Sequence, residues 1–190
     1  MAEKKITYTN GVNDMKKQYT KYIKNHIENV QLCYKKAVVA FRVVFPEVYE
    51  DLDQIKTLSN LLDNHDASKF SEEEFFPYAM RFFPIKGIDP KEEYIKNNFK
   101  LAWLHHVNNN GHHPGHWALV DDNEVQIFDM PDVYIIEMLC DWMAMSIYYN
   151  SSTKEYWESP SAQKLPMSEY TRSKVEKFMA EMDERSDFVW

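Results

Sequence analysis

Histidines are the most conspicuous chemical feature of this 190-residue chain. Five of the seven fall within twelve residues, and the full set is His26, His65, His105, His106, His112, His113 and His116. Neutral imidazole is the commonest protein ligand of metal ions, and carboxylates join it around Zn, Fe or Mn. The histidines therefore predict a metal site where the fold places acids beside them.

Two polar residues interrupt apolar stripes that have helical spacing. Asp141 shares its stripe with Met138 and Met145, and His26 lies on the stripe that contains Ile23. Burying a carboxylate is costly unless a cation or strong hydrogen-bond donors meet it. A metal ion shared by Asp141 and His26 would satisfy both side chains, and so would a direct ion pair between them. The sequence leaves both explanations open.

The order of these residues resembles the HD superfamily of helical metal-dependent phosphohydrolases. The resemblance rests on an isolated His26, the adjacent pair His65-Asp66 and a distant Asp141 on a helix. Further histidines between the pair and the last aspartate resemble the dinuclear branch of that superfamily. The implied metal ligands are His26, His65, Asp66, His106, His112, His113 and Asp141. In a two-metal site of this kind, Asp66 would be the bridging carboxylate.

The pattern departs from its HD relatives at two points. Lys69 matches the lysine of the His-Asp-x-Gly-Lys version, but Ser68 replaces the glycine. His113 is followed by Pro114-Gly115-His116-Trp117 instead of the Gly-Tyr-Pro signature of the phosphodiesterase branch, so cleavage of cyclic dinucleotides is not implied. The segments HDASKFS, AWLHH, GHHPGHW and EMLCDW also resemble a small family from phages and bacteria that has no settled activity.

The resemblance implies a phosphohydrolase or phosphodiesterase in which a metal-bound hydroxide attacks a small phosphorylated substrate, with a nucleotide as the favoured class. Two divalent ions, of Mn, Fe, Zn or Mg, are the expected cofactors. Asp66 and Lys69 are the expected catalytic residues. The expected substrate-binding residues are Lys69, Arg81, His116 and Trp117. The ligand order also resembles mixed-valent diiron oxygenases of the myo-inositol oxygenase type, and a metal-stapled binding module without activity is a third alternative.

Several side chains have a second, structural explanation. Adjacent helical residues point about 100° apart, so only one of His105 and His106 is expected to face the site. His106 continues the apolar face of Ala102 and is the predicted ligand. Glu74 is expected to complete a capping box with Ser71, with a role behind the metal ligands as the alternative. The three tryptophans near these residues suit either base stacking or core packing: Trp103, Trp117 and Trp142.

Apolar periodicity predicts an all-α fold of five to seven helices, of the HD-domain type. The predicted helices cover about 13–45, 47–63, 71–83, 89–107, 131–149 and 168–182, with a weak hairpin within 120–128. No repeat or linker divides the chain, so one domain is expected over residues 1–190. Residues 1–12 form an N-terminal extension in this prediction, and residues 150–190 form a C-terminal loop and helix.

Composition narrows the function classes. Only four glycines are present, which disfavours hairpin-rich folds. The net charge is −8 without a dense basic cluster, so duplex nucleic acid is not an expected partner. No apolar stretch approaches the ~20 residues of a membrane span. The polar N-terminus and the lack of such a stretch favour a soluble, cytoplasmic protein. Cys33 and Cys140 lie in apolar helical patterns and are expected to be reduced. The oligomeric state stays open.

Overall fold

A computed structural model describes residues 2–122 and 124–185, with side chains from residue 11 onward. The chain divides into two compact units. The first unit contains the residues up to Asn25 together with Asp66–Asn110, and the second contains His26–His65 and the chain from Gly111 onward.

The described residues form nine α-helices and two short strands, which confirms the all-α class but exceeds the expected five to seven helices. The elements are α1 (Ala2–Val44), α2 (Pro46–Glu50), α3 (Leu52–Asp63), α4 (Glu72–Phe82), α5 (Glu93–Asn109), β1 (Ala118–Val120), β2 (Val125–Ile127), α6 (Asp132–Tyr149), α7 (Thr153–Glu158), α8 (Pro160–Gln163) and α9 (Glu169–Asp183). Short 3-10 helices cover Ala67–Phe70 and Pro114–Trp117. Within these ranges, no helix combines the length and apolar character that crossing a bilayer requires.

Four predicted boundaries were wrong for local reasons. Helix α1 begins at Ala2, where the strong helix formers of AEKK start it, and it continues through ITYTNG although those residues are weak helix formers without apolar periodicity. The helix predicted over 47–63 is divided at Asp51, whose carboxylate accepts hydrogen bonds from the first backbone amides of α3. Asp89 closes a turn by accepting from Lys91 N, and α5 begins only at Glu93. The loop predicted over 150–166 contains α7 and α8, while residues 186–190 lie outside the described chain.

Aromatic contacts hold the first unit together. Tyr78 of α4 meets Phe99 of α5 edge to face, with 5.0 Å between ring centroids. Tyr19 of α1 is fully buried and makes a similar contact with Phe75, at 5.1 Å. Such pairs add stability beyond the area that they bury. This packing fixes α4 against α5, the two helices that hold the polar cluster of this unit.

Helix α6 is the centre of the second unit, as its apolar sequence predicts. It packs against α3 and α9, and Phe41 of α1 stacks on Phe178 of α9 at 4.7 Å. Both predicted buried thiols are free cysteines in this core. Burial raises the pKa of Cys33 to about 11 and raises the pKa of Cys140 well above its ordinary value. The predicted hairpin is present as the antiparallel pair β1 and β2, with Leu119 opposite Gln126.

Candidate metal centre

Helix α6 supplies two carboxylates to the site in the second unit. Glu137 and Asp141 are four residues apart, so their side chains leave the same face of the helix. Ile135, Met138 and Leu139 hold this part of α6 in the core, each with no exposed surface. A buried helix therefore fixes the position of both acids.

Three histidines reach these acids from other segments. His26 belongs to α1, His65 follows the end of α3, and His112 precedes the second 3-10 helix, and all three are buried. His26 Nε2 lies 3.0 Å from Asp141 Oδ1, and His65 Nε2 lies 3.7 Å from the same oxygen. The direct contact between His26 and Asp141, one of the two explanations offered by the sequence, is thus present.

The second unit also contains a group that can hold a metal ion. His65, His112 and Asp141 each offer one ligand atom, and the three atoms lie within 4.8 Å of one another. Two ligands of a tetrahedral ion are about 3.3 Å apart when each bond is about 2.0–2.1 Å long. The 3.7 Å between His65 Nε2 and Asp141 Oδ1 is close to that value. Imidazole nitrogen together with carboxylate oxygen is a donor set for Zn, Fe or Mn.

Electrostatics keep both acids of this site ionised. Burial raises the pKa of Asp141, but the neighbouring imidazoles of His26 and His65 outweigh it and hold the pKa well below its ordinary value. Burial likewise raises the pKa of Glu137, and hydrogen bonds from His112 and His65 bring it below its ordinary value. Glu137, which is buried, and Asp141, whose side chain is 15% exposed, are therefore present as anions among three imidazoles, which favours binding of a cation.

The first unit has a separate polar cluster around Asp66. The backbone of Asp66 is left-handed (φ 56°), a conformation that Asp tolerates better than most residues, and the 3-10 helix that carries Lys69 begins next to it. Lys69 Nζ lies 2.5 Å from Asp66 Oδ2, and His106 Nε2 lies 3.2 Å from Asp66 Oδ1. His106 also donates through Nδ1 to Glu74, at 2.8 Å. A lysine and an imidazole thus share one buried aspartate.

Glu74 does not complete the capping box that its spacing predicted. Ser71 makes no side-chain capping hydrogen bond, and Glu74 is buried and accepts from both His105 and His106. Burial raises the pKa of Glu74, but these hydrogen bonds outweigh it and lower the pKa below its ordinary value. Burial lowers the pKa of His106, and its hydrogen bonds to Asp66 and Glu74 reverse that shift and raise the pKa. This geometry agrees with the alternative explanation of Glu74, in which its carboxylate accepts a hydrogen bond from a predicted metal-binding histidine.

A comparison with protein families matches residues 15–181 to a family described as "Family of unknown function (DUF5662)". The chain belongs to this family. The matched range includes every histidine and acid of the two clusters. No curated protein and no solved structure shows a significant match. The description of DUF5662 names no activity.

Glu137 is the residue of the DUF5662 chain that the sequence reasoning missed. Its Oε1 lies 2.9 Å from His65 Nδ1 and 3.3 Å from His112 Nδ1. The sequence contained a signal for this residue. Glu137 lies one helical turn before Asp141 in the most apolar helix, so burying its carboxylate is costly for the same reason as burying that of Asp141. Nothing in the spacing could show which histidines it meets.

The other predicted site residues of the DUF5662 chain differ in exposure and in the residues that they contact. His106 is 1% exposed, whereas the side chain of His105 is 34% exposed, as the stripe predicted. The His113 ring lies 4.2 Å from that of His112, while His116 is exposed and packs on Trp117. Arg81 does not join the Asp66 cluster. It donates to the carbonyl of Pro90, and it is seven residues from Glu74, about 10 Å along α4.

The three tryptophans near the predicted ligands of the DUF5662 chain differ in how far they are buried. Trp142 is buried and packs on Tyr156, at 5.0 Å, which favours the core explanation. Trp117 donates from Nε1 to the carbonyl of Gly111, at 2.7 Å, and so fixes the segment that carries His112. Trp103 is 45% exposed, which leaves part of its ring open to a ligand.

Gly111 places His112 through a close approach to Tyr134. A Cβ at this position would lie 2.6 Å from the Tyr134 ring, which also packs against Trp117. We expect Gly111→Ala to lower the free energy of unfolding by about 1–3 kcal/mol, the usual cost of overpacking. Urea denaturation measures the loss. Adding Tyr134→Ala should make the two effects clearly non-additive, and strict additivity would contradict the contact.

Proposed function

We propose that this protein is a metal-dependent phosphohydrolase that acts on a small phosphorylated molecule, with a nucleotide as the favoured substrate class. The observation that carries the proposal is the meeting of His65, His112 and Asp141 within the second unit. These residues come from the end of α3, the segment before β1 and the middle of α6. A histidine-and-carboxylate donor set drawn from three distant segments is typical of a metal centre rather than of local helix packing.

The metal-site residues have distinct tasks in this proposal. His65, His112 and Asp141 would hold a divalent ion, with His26 beside Asp141 as a further imidazole. When bound, such an ion activates water and polarises a phosphoryl oxygen. Asp141 supplies the negative charge, because its hydrogen bonds keep it ionised. The HD resemblance adds Asp66, His106 and His113 as ligands and thereby predicts a second ion, which metal stoichiometry tests.

Lys69 is the proposed phosphate-binding residue. Its side chain is 13% exposed, and its ammonium is already held beside the Asp66 carboxylate and over the Tyr78 ring. A lysine held in this way loses little conformational freedom when it meets a phosphate oxygen. The HD hydrolases and the diiron oxygenases that this chain resembles both have a lysine at this position after the His-Asp pair. Lys69 therefore supports anion binding but does not distinguish a hydrolase from an oxygenase.

The charge balance limits the substrate to a small molecule. Polymer binders gain affinity by releasing counterions from an extended positive surface. This chain has 22 basic and 30 acidic residues, which does not provide such a surface. The HD resemblance implies instead that metal ions and a lysine at the place of Lys69 neutralise one phosphate.

A combined metal and turnover experiment tests the proposal. Protein prepared aerobically and anaerobically is analysed for metal, then assayed with Mn and Mg for phosphate release from mononucleotides and nucleoside triphosphates, for conversion of cyclic nucleotides to mononucleotides, and for cleavage of a labelled oligonucleotide. Hydrolysis of a small nucleotide supports the proposal. Cleavage of the oligonucleotide alone would overturn the size limit. Two irons per chain with oxygen consumption would identify the oxygenase, and no turnover with metal bound would identify a binding module.

Lys69→Met separates substrate binding from metal binding. Losing a charge-assisted hydrogen bond costs about 1.5–3 kcal/mol, so we expect kcat/KM to fall about 10- to 100-fold. Metal content should stay at the wild-type value, since a lysine ammonium does not bind metal. Lys100→Met, an exposed position on α5 of the same unit, is the matched control and should retain activity. Loss of metal from the Lys69 variant, or unchanged turnover, would contradict this role.

A further inference from the structure

We propose that Glu137 is a positioning residue that fixes the tautomers of His65 and His112 together, so that both rings present Nε2 to a metal ion. The inference rests on the metal centre of the proposed function but not on the hydrolytic reaction. One oxygen of Glu137 makes both contacts, at 2.9 Å to His65 Nδ1 and 3.3 Å to His112 Nδ1. Glu137 is only 3% exposed, so water does not readily replace these contacts.

The chemistry of neutral imidazole explains why this contact decides the ligand atom. A neutral histidine carries one N–H, and the nitrogen without it carries the lone pair that binds metal. The Glu137 carboxylate can only accept, so His65 and His112 must each place their proton on Nδ1. Both lone pairs are then on Nε2. An imidazole side chain in water prefers the opposite tautomer, with its proton on Nε2, which cannot bind metal through that atom.

The geometry of the rings agrees with a shared acceptor. The rings of His65 and His112 lie 4.5 Å apart, close enough for one oxygen to reach both. With Nδ1 of His65 on Glu137, its Nε2 faces Asp141 Oδ1 at 3.7 Å. Carboxylates that accept from the second nitrogen of a metal-bound histidine fix the orientation and raise the basicity of the ligand. Glu137 does this for two ligands at once.

The first unit contains the same arrangement on a different acid. Glu74 accepts from Nδ1 of His105 and from Nδ1 of His106, each at 2.8 Å, and Nε2 of His106 faces Asp66. Glu74 uses its two oxygens for the two histidines, whereas Glu137 uses one. The recurrence shows that an acid shared by two Nδ1 atoms is a local solution used twice in this chain, and it supplies a specificity control.

Histidine tautomers in the metal-free protein test the inference directly. Long-range ¹H–¹⁵N correlation spectra distinguish Nδ1–H from Nε2–H. We expect Nδ1–H signals for His65 and His112 in wild type and in Glu137→Gln, whose amide oxygen still accepts both bonds. In Glu137→Leu both histidines should gain the Nε2–H form. Glu74→Gln should leave these two histidines unchanged.

Metal affinity provides the second readout, with Zn²⁺ alone as the probe. Loss of such an outer partner costs about 10- to 100-fold in affinity, so Glu137→Leu should weaken Zn²⁺ binding by that factor while Glu137→Gln retains most of it. Equal loss in both variants, with tautomers unchanged, would make Glu137 a direct ligand and overturn the inference. Nε2–H tautomers in wild type would overturn it as well.

If Glu137→Leu fails to fold, Glu137→Asp is the second variant. It withdraws the carboxylate without removing its charge, and persistent Nδ1–H signals in it would count against the inference. Because the tautomers are measured without metal, absence of phosphatase activity counts against the proposed function alone, whereas absence of Zn²⁺ binding in wild type counts against both proposals.

Discussion

Replacing Asp141 by alanine is expected to empty the metal centre of the second unit. Asp141 is the carboxylate ligand of the group formed with His65 and His112, and its Oδ1 also meets His26. Losing a partner behind a ligand already costs about 10- to 100-fold in metal affinity, so loss of the ligand itself should exceed about 100-fold. Competition with a chromogenic chelator measures the affinity, and elemental analysis after dialysis measures the occupancy.

His116→Ala is the matched control for this experiment. It removes a histidine from the same His-rich segment, but one that is exposed and packs on Trp117, so metal content should be unchanged. Asp66→Ala tests the second ion that the HD resemblance predicts, and it should lower the stoichiometry where His105→Ala does not. Full metal occupancy in the Asp141 variant would remove the basis of the assignment.

Metal removal is expected to lower the melting temperature by about 5–10 °C. An ion present at 100 times its Kd stabilises the folded state by about 2.7 kcal/mol, and about 2–4 °C accompany each kcal/mol in a chain of this length. Without the ion, the Glu137 and Asp141 carboxylates face the two nitrogens of the same His65 ring in a largely buried site. Calorimetry before and after chelation, with removal verified by elemental analysis, measures the shift.

Acidification should reproduce the effect of chelation. Protonated imidazoles cannot bind metal, so the stability derived from the ion is lost as the pH falls and the ligand histidines take up protons. Asp141→Ala provides the control, since a protein that lacks the ion of the second unit should show a smaller change of melting temperature with chelator than wild type. An unchanged melting curve in wild type after verified metal removal would mean that the contact between His26 and Asp141 is a structural ion pair, the alternative that the sequence left open.

The sequence alone determined which side chains needed an explanation. Apolar periodicity predicted α6 and α9 nearly to their ends, because a helix that buries one face repeats every three to four residues whatever it packs against. The same periodicity marked His26 and Asp141 as polar residues on apolar stripes. It also chose His106 over the more exposed His105. These conclusions need only the orientation of a side chain on its own helix.

Only the tertiary structure decided which partners those side chains meet. Glu137 lies 72 residues from His65 in the chain, and no local pattern encodes that distance. Glu74 fitted a capping box by its spacing, yet its buried position turned it towards His105 and His106, since an ionised acid in a core is stabilised most by donors that reach it there. Periodicity reports that a residue is buried, whereas the identity of its partner depends on the packing of segments that are far apart in the chain.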